Sequence, residues 1–434
     1  MSFSPPDPRL LARSLGLAAI IALGLAPGAL AQATASAAPQ GFQGDTSWME
    51  GTNANPPSGA VAGPVTLSGM VDTYYSYDFN HPADHTVFPA VAAPRSNEFN
   101  LNLAELSLEL TGMPHLVGKV VLQGGNEVDP VYGTDPSVNP PTGRGSYSSL
   151  ASLRSLREAY AGYHVDWLSG FTLTAGIQPA NIGIESYEPQ ENWNYTHNVA
   201  CDFTPYYLQG VCAQLFPTTT LKTELWLTNG WQTLAKTSEG FGYGYVVEWH
   251  PWDRLSLRQN TLAGNIDPAD PTRTRFYFDN NLQWKYGEHW LGAKSMAIAA
   301  AYDYGVESAG SNGASPATMW GAALMHRIQF DDHWSTTERV SFFDDPQHLV
   351  ALGLPAGNLA AGDLQVGEGT IGIDFSPMPW FIYRFEYRHD FSNNVPYIAG
   401  PLGTTPPAGV NPASWTPPLV FSGDRLTLNT TLRF

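Results

Sequence analysis

Four carboxylates, Glu185, Glu188, Glu191 and Asp202, fall in or beside one stretch, residues 179–205, among amides and aromatic rings. Their chemistry would be electrostatic. Acids gathered beside a narrow aqueous path bias which ions pass it. The stretch is too apolar for a merely solvated loop. It is expected to fold inward and form a constriction, with an ordered external cap as the other reading. A second charged set, Arg254, Arg258, Arg275, Arg384, Glu386 and Arg388, occupies every-other positions of extended segments. These residues are expected to line a wall, as cationic ladders beside carboxylates or as salt bridges that leave selectivity untouched. Cys201 and Cys212 are a candidate disulfide, and their spacing leaves two free thiols equally open.

Catalytic chemistry lacks support. The chain carries no G-x-S-x-G and no H-E-x-x-H. His164 and His389 are lone histidines without a nucleophile at a telling spacing. No metal-ligand pattern and no cofactor motif is found, so neither is expected.

The elements that carry these residues are strands. In 425–434, Leu426, Leu428, Leu432 and Phe434 alternate with Arg425, Thr427, Asn429 and Arg433. Side chains alternate faces along an extended chain, so one face is apolar and the other polar. The pattern recurs. Sixteen candidate strands are read at about 65–79, 97–111, 116–126, 156–167, 170–178, 206–216, 218–229, 240–249, 253–263, 274–286, 290–304, 318–330, 334–344, 363–375, 380–391 and 423–434. A phase slip near Ala104-Glu105 predicts a β-bulge. Connections alternate strictly between short and long. The short ones include Leu168-Ser-Gly170, Gly287-Glu-His289 and Asp331-Asp-His333, and the long ones centre near 88, 140, 192, 235, 268, 311, 354 and 407. Short turns on one edge, long loops on the other and an even strand count are the pattern of an outer-membrane barrel. The fold class is therefore all-β: a closed antiparallel transmembrane barrel of about sixteen strands. In that setting the apolar faces meet lipid and the charged faces meet the lumen.

Aromatic placement agrees. Trp167, Trp249, Trp252, Tyr286, Trp290, Trp334 and Trp380 sit beside short turns. Tyr75, Tyr77, Trp231, Tyr302 and Tyr304 sit near long loops. Two interfacial girdles are expected.

Composition bounds the rest. Of 434 residues, 14% are charged and 12% aromatic, and the formal net charge is −18. An acidic chain is a poor nucleic-acid binder. Mean hydropathy is −0.19, which does not suit a helical membrane protein. Arg9 and Arg13, the apolar run Leu15–Leu25 and Ala29-Leu-Ala31 read as a signal peptide over 1–31. Its loss removes Asp7, Arg9 and Arg13, a net +1, leaving −19. Residues 32–63 read as a flexible periplasmic segment, too short and featureless for a plug. The barrel is expected over 64–434.

Several runs resemble a known family. Leu156-Arg-Glu-Ala-Tyr160, Leu173-Thr-Ala-Gly-Ile177, Gly183-Ile-Glu-Ser-Tyr-Glu-Pro189, Asn192-Trp-Asn-Tyr195 and Thr204-Pro-Tyr206 are similar to the OmpL-like putative beta-barrel porins of bacteria. Ser68-Gly-Met-Val-Asp-Thr-Tyr-Tyr75 and Asn100-Leu-Asn-Leu-Ala104 fit as well. The resemblance implies an outer-membrane pore and brings no catalytic residues. The expected function is a porin passing small hydrophilic solutes or ions by passive diffusion. The alternatives are a barrel hydrolase and a closed barrel acting as a binding or structural protein, and a soluble exported binding protein is a more distant reading. Expected partners are outer-membrane lipid and small solutes. A homotrimer suits a barrel of this size, although one sequence does not mark the interface.

Overall fold

In the computed structural model, residues 42, 46–49, 59–82, 85–87, 90–133, 135, 137, 153–238, 240–266, 272–310, 313, 315–350, 363–393, 397–398 and 419–434 are described. The expected signal peptide and the long-loop centres near 88, 140, 268, 311, 354 and 407 lie outside them.

Sixteen strands form the barrel: β1 (Val65–Asp78), β2 (Phe99–Leu110), β3 (Leu116–Gly124), β4 (Leu156–Val165), β5 (Phe171–Pro179), β6 (Tyr207–Thr218), β7 (Leu221–Thr228), β8 (Gly242–Trp252), β9 (Leu255–Gly264), β10 (Arg275–Trp290), β11 (Ala293–Glu307), β12 (Ala317–Gln329), β13 (Trp334–Asp345), β14 (Leu364–Met378), β15 (Phe381–Ser392) and β16 (Ser422–Arg433). Each pairs antiparallel with its chain neighbours. The last strand closes on the first, from Arg425 opposite Asp78 to Arg433 opposite Met70. Closure removes the unpaired strand edge that lipid would not tolerate. Gly69 and Phe434 exchange two backbone hydrogen bonds at 2.8 and 3.0 Å. A Cβ at Gly69 would lie 2.4 Å from the Phe434 ring and 2.9 Å from the Glu105 carbonyl oxygen, so the seam requires glycine there.

The alternation follows the sequence. On β15, Arg384, Glu386, Arg388 and Asp390 are buried inside, while Tyr383, Phe385 and Tyr387 are exposed outside. Trp167, Trp249, Trp252, Trp290, Trp334 and Trp380 are all exposed beside short turns. Trp231 departs from its expected place in the opposite girdle. It is buried against Tyr277, with the Arg275 guanidinium 5.0 Å from its ring.

Two local details differ from the sequence reading. The bulge lies at Asn102, not Ala104-Glu105, since Asp72 faces Leu103 and Thr73 faces Leu101. The Asn102 amide explains the position: it donates to Asp72 at 2.9 Å and Glu127 at 2.6 Å and accepts from the Ala93 N–H. The turn expected at 287–289 falls at Leu291-Gly292, where φ is 54° and 84°. Positive φ at both central residues matches the right-handed twist of a two-residue hairpin. Asp331 shapes another short turn by accepting the His333 and Trp334 N–H groups at 2.7 and 2.8 Å. Those donors hold its carboxyl below the usual carboxylate range.

Some polar groups lie on the outer face. Arg339 faces inward on β13, so its neighbour Glu338 faces outward and is half exposed. Glu338 accepts from His326 Nδ1 at 2.9 Å, and His326 Nε2 meets the Tyr286 hydroxyl at 2.8 Å. Replacing His326 with alanine would strand this carboxylate on the lipid-facing wall. A stability loss of about 1–3 kcal/mol is expected in urea unfolding from lipid vesicles. Adding Glu338→Gln should recover most of it, and an unchanged midpoint in H326A would mean the pair contributes nothing.

Candidate functional site

The third long connection, residues 180–206, leaves β5 and returns at β6 after crossing the barrel interior. Backbone taken out of water needs partners, and the wall supplies them. Near β5, the Gly183 N–H donates to Asp279 at 2.7 Å, and Arg258 donates to the Gly183 carbonyl. On the far wall, Glu386 accepts the Tyr195 N–H at 2.8 Å and the Thr196 hydroxyl at 2.6 Å. Arg384 donates to the carbonyls of Pro189 and, at 2.8 Å, Asn192. Arg388 donates to the His197 carbonyl at 2.6 Å and pairs with Asp390. The Tyr195 hydroxyl reaches Asp72 on β1 at 2.9 Å. Gly321 on β12 allows close approach, since a Cβ there would lie 2.7 Å from the Ala200 methyl.

Arg339 on β13 is the centre of this anchorage. It is buried and donates to Glu368 at 2.7 Å, to Glu185 at 2.8 Å and to the Thr196 carbonyl. Its planar fork suits one wall carboxylate and one loop carboxylate at once. Sequence reading missed Arg339, although Ser335, Thr337, Arg339 and Ser341 share the inward phase of β13 and signalled it.

The four loop acids therefore divide. Glu185 is buried on Arg339. Asp202 is held close to His197 Nδ1 at 3.4 Å and accepts the Val91 N–H of the first long loop at 3.0 Å. Glu188 is half-buried on Arg157, and Glu191 is exposed. Arg157 also pairs with Glu105 at 2.7 Å and Glu158 at 2.8 Å.

Glu188 and Glu191 face a cavity of about 560 Å³ between the loop and the wall from β2 to β9. Its other carboxylates are Glu109, Glu158 and Glu224, and its cations are Lys119, Arg157, Lys222 and Arg258. Lys222 bridges Glu224 and Glu248 at 3.3 and 2.7 Å.

The expected arginine wall is corrected by this arrangement. Of its six residues only Arg258 reaches the cavity. Arg384, Glu386 and Arg388 are buried beneath the loop backbone. Arg275 is buried on Glu307 at 3.0 Å, and Arg254 lies at a short turn, paired with Glu288. Inward phase was legible; that a loop would cover the far wall was not.

The candidate disulfide is also corrected. Cys201 and Cys212 are free, buried thiols. Cys201 sits on the loop beside Gly183, whereas Cys212 faces Thr174 and Trp226 on neighbouring strands. Neither should react with a maleimide in the folded barrel, and both should react after unfolding without reductant. A mass unchanged by labelling in urea would restore the disulfide.

A family profile matches residues 64–420, described as putative beta-barrel porin-2, OmpL-like. The chain belongs to this porin family. No curated relative matches it. Among solved structures, OmpF of Salmonella typhi in complex with daunomycin is similar at 12% identity and TM-score 0.53, covering 85% of this chain and 97% of that one. Outer-membrane expressed OmpT of Vibrio cholerae is similar at 8% and 0.51, with 86% and 99% covered. An anion-selective porin from Comamonas acidovorans is similar at 9% and 0.50, with 85% and 99% covered. At such identities the likeness is one of fold: this porin-family chain is a closed sixteen-strand outer-membrane barrel.

Proposed function

We propose that this barrel is a passive channel for small hydrophilic solutes or ions, and that the third long loop is its constriction. The observation that carries the reading is the charged cavity beside the loop. So many charges lining one gap belong to water, because burying them dry costs even paired groups their hydration. Five carboxylates face four cations there. The slight acidic surplus favours cations at the narrowest point. Glu188 and Glu191 act on passing ions in this reading, while Glu185 and Asp202 hold the loop in place. A closed barrel is the second reading, favoured by how much of the interior the loop occupies.

The test is single-channel recording of the refolded protein in a planar bilayer, with the reversal potential measured across a salt gradient. Stable open steps and a cation-signed potential are expected. A heat-modifiable, inserted barrel that gives no steps would overturn the channel in favour of the closed barrel, which would then be screened for hydrolase activity and ligand binding.

A further inference from the structure

The segment before the barrel enters it. Met49 N–H donates to the Thr46 carbonyl at 3.0 Å, closing one tight turn over Ser47–Met49. Trp48 is buried, and its indole N–H donates to the Asp253 carbonyl at the β8–β9 turn, 2.9 Å away. The Met49 carbonyl accepts from Trp193 of the third loop at 3.0 Å and from Gln283 of β10 at 3.2 Å. Phe42 stacks on His250 with ring centroids 3.6 Å apart and meets Phe216 edge-on at 5.4 Å. These contacts concern Phe42 and Thr46–Met49 alone; most of the stretch 32–63, expected to be a flexible periplasmic segment, lies outside the described residues.

The wall provides a second, independent sign. A water-filled lumen calls for polar inward residues, yet β11 turns Ala297, Ala299 and Ala301 inward, and β12 adds Ala323 and Met325. This apolar patch is covered by Trp48 and Trp193. Small side chains leave room for two indoles, and the indoles remove the patch from water. Phe42 lies against β6 to β8, with the Lys222 ammonium 5.9 Å from its ring, and Lys222 lines the charged cavity. Asp253 and His250 place both rings at the short-turn end of the barrel.

We infer that Phe42 and the Ser47–Met49 turn are bound inside the short-turn mouth and set the size limit of the passage from that side. The inference rests on the channel reading. Its chemistry is aromatic anchoring: Trp48 holds the turn to the alanine wall, and Phe42 covers the exit below Lys222. The third loop narrows the passage at mid-depth, and the two aromatics narrow it at the mouth.

The experiment compares the full chain with its Phe42→Ala/Trp48→Ala variant in planar bilayers, reading conductance and the polymer size that is excluded. The variant is expected to conduct more and to admit larger polymers. Conductance in the variant but none in the parent would overturn the channel reading, and the inference with it, in favour of a closed barrel that the segment blocks. If both conduct equally and exclude the same polymers, the inference fails and the channel reading stands. If neither conducts, both fail. A second variant, Met49→Cys/Gln283→Cys, tests placement without removing an aromatic. A short bis-maleimide should bridge the two thiols of the inserted, heat-modifiable barrel, and absence of that cross-link would overturn the placement even if the alanine variant did not fold.

Discussion

Arg339→Ala is expected to detach the third long loop from the far wall and to cost the barrel about 3–5 kcal/mol, the usual penalty for breaking a buried ion pair from one side. The substitution leaves Glu185 and Glu368 buried without their shared cation, and the Thr196 carbonyl loses a donor. Replacing Arg339 with lysine should recover little, because a point charge cannot serve two carboxylates and a carbonyl in one plane. Two readouts separate loop release from global unfolding. Urea unfolding in lipid vesicles gives the stability loss. Limited proteolysis of the still-folded barrel should cut within residues 183–199, where the parent resists. A variant with parental stability and an uncut loop would show that the remaining contacts, Glu386 with Tyr195 and Thr196 above all, hold the loop alone. If the docked loop is the constriction proposed above, conductance should rise and become noisy once it is released.

Glu188→Gln with Glu191→Gln is expected to move the reversal potential toward anions. The cavity would then hold three carboxylates against four cations in place of five against four. A unit charge about 5 Å from an ion in water acts at about 0.8 kcal/mol. Two such changes alter the local cation-to-anion balance by about threefold to tenfold once salt screening is included. Glu185→Gln supplies the contrast. Its carboxylate is buried on Arg339, so it should lower stability and leave the potential of the docked channel unchanged. A shift from Glu185→Gln equal to that of the double variant would place the constriction at Arg339 instead of the charged cavity.

The two corrections on the inner wall have one physical origin. Arg384, Arg388 and Glu386 were legible as inward residues because strand alternation is a local property. Whether an inward residue meets water depends on what crosses the interior, and that is set by residues about 190 positions away in sequence, Pro189 to His197. The cysteines give the same lesson. They lie eleven positions apart, but one rides on the loop and the other on a strand facing Thr174. The N-terminal segment is the sharpest case. Phe42 and Trp48 sit in a stretch without period, and their sites are distributed over the third loop and six strands, from β6 to β12. The inward alanines of β11 were visible in the sequence, yet they named no occupant.

The sequence by itself determined the barrel. Period-2 alternation, the order of short and long connections and the aromatic girdles are encoded residue by residue, and a membrane admits few folds that satisfy them. Sixteen strands, their lipid-facing sides and the acidic third loop all follow from that local code. Tertiary structure alone decided the interior. A loop carrying carboxylates, amides and aromatics could dock or stay outside with equal local propensity. What selects docking is the set of buried donors and acceptors on β10, β13 and β15 that match its backbone, and those partners meet only after the barrel has closed.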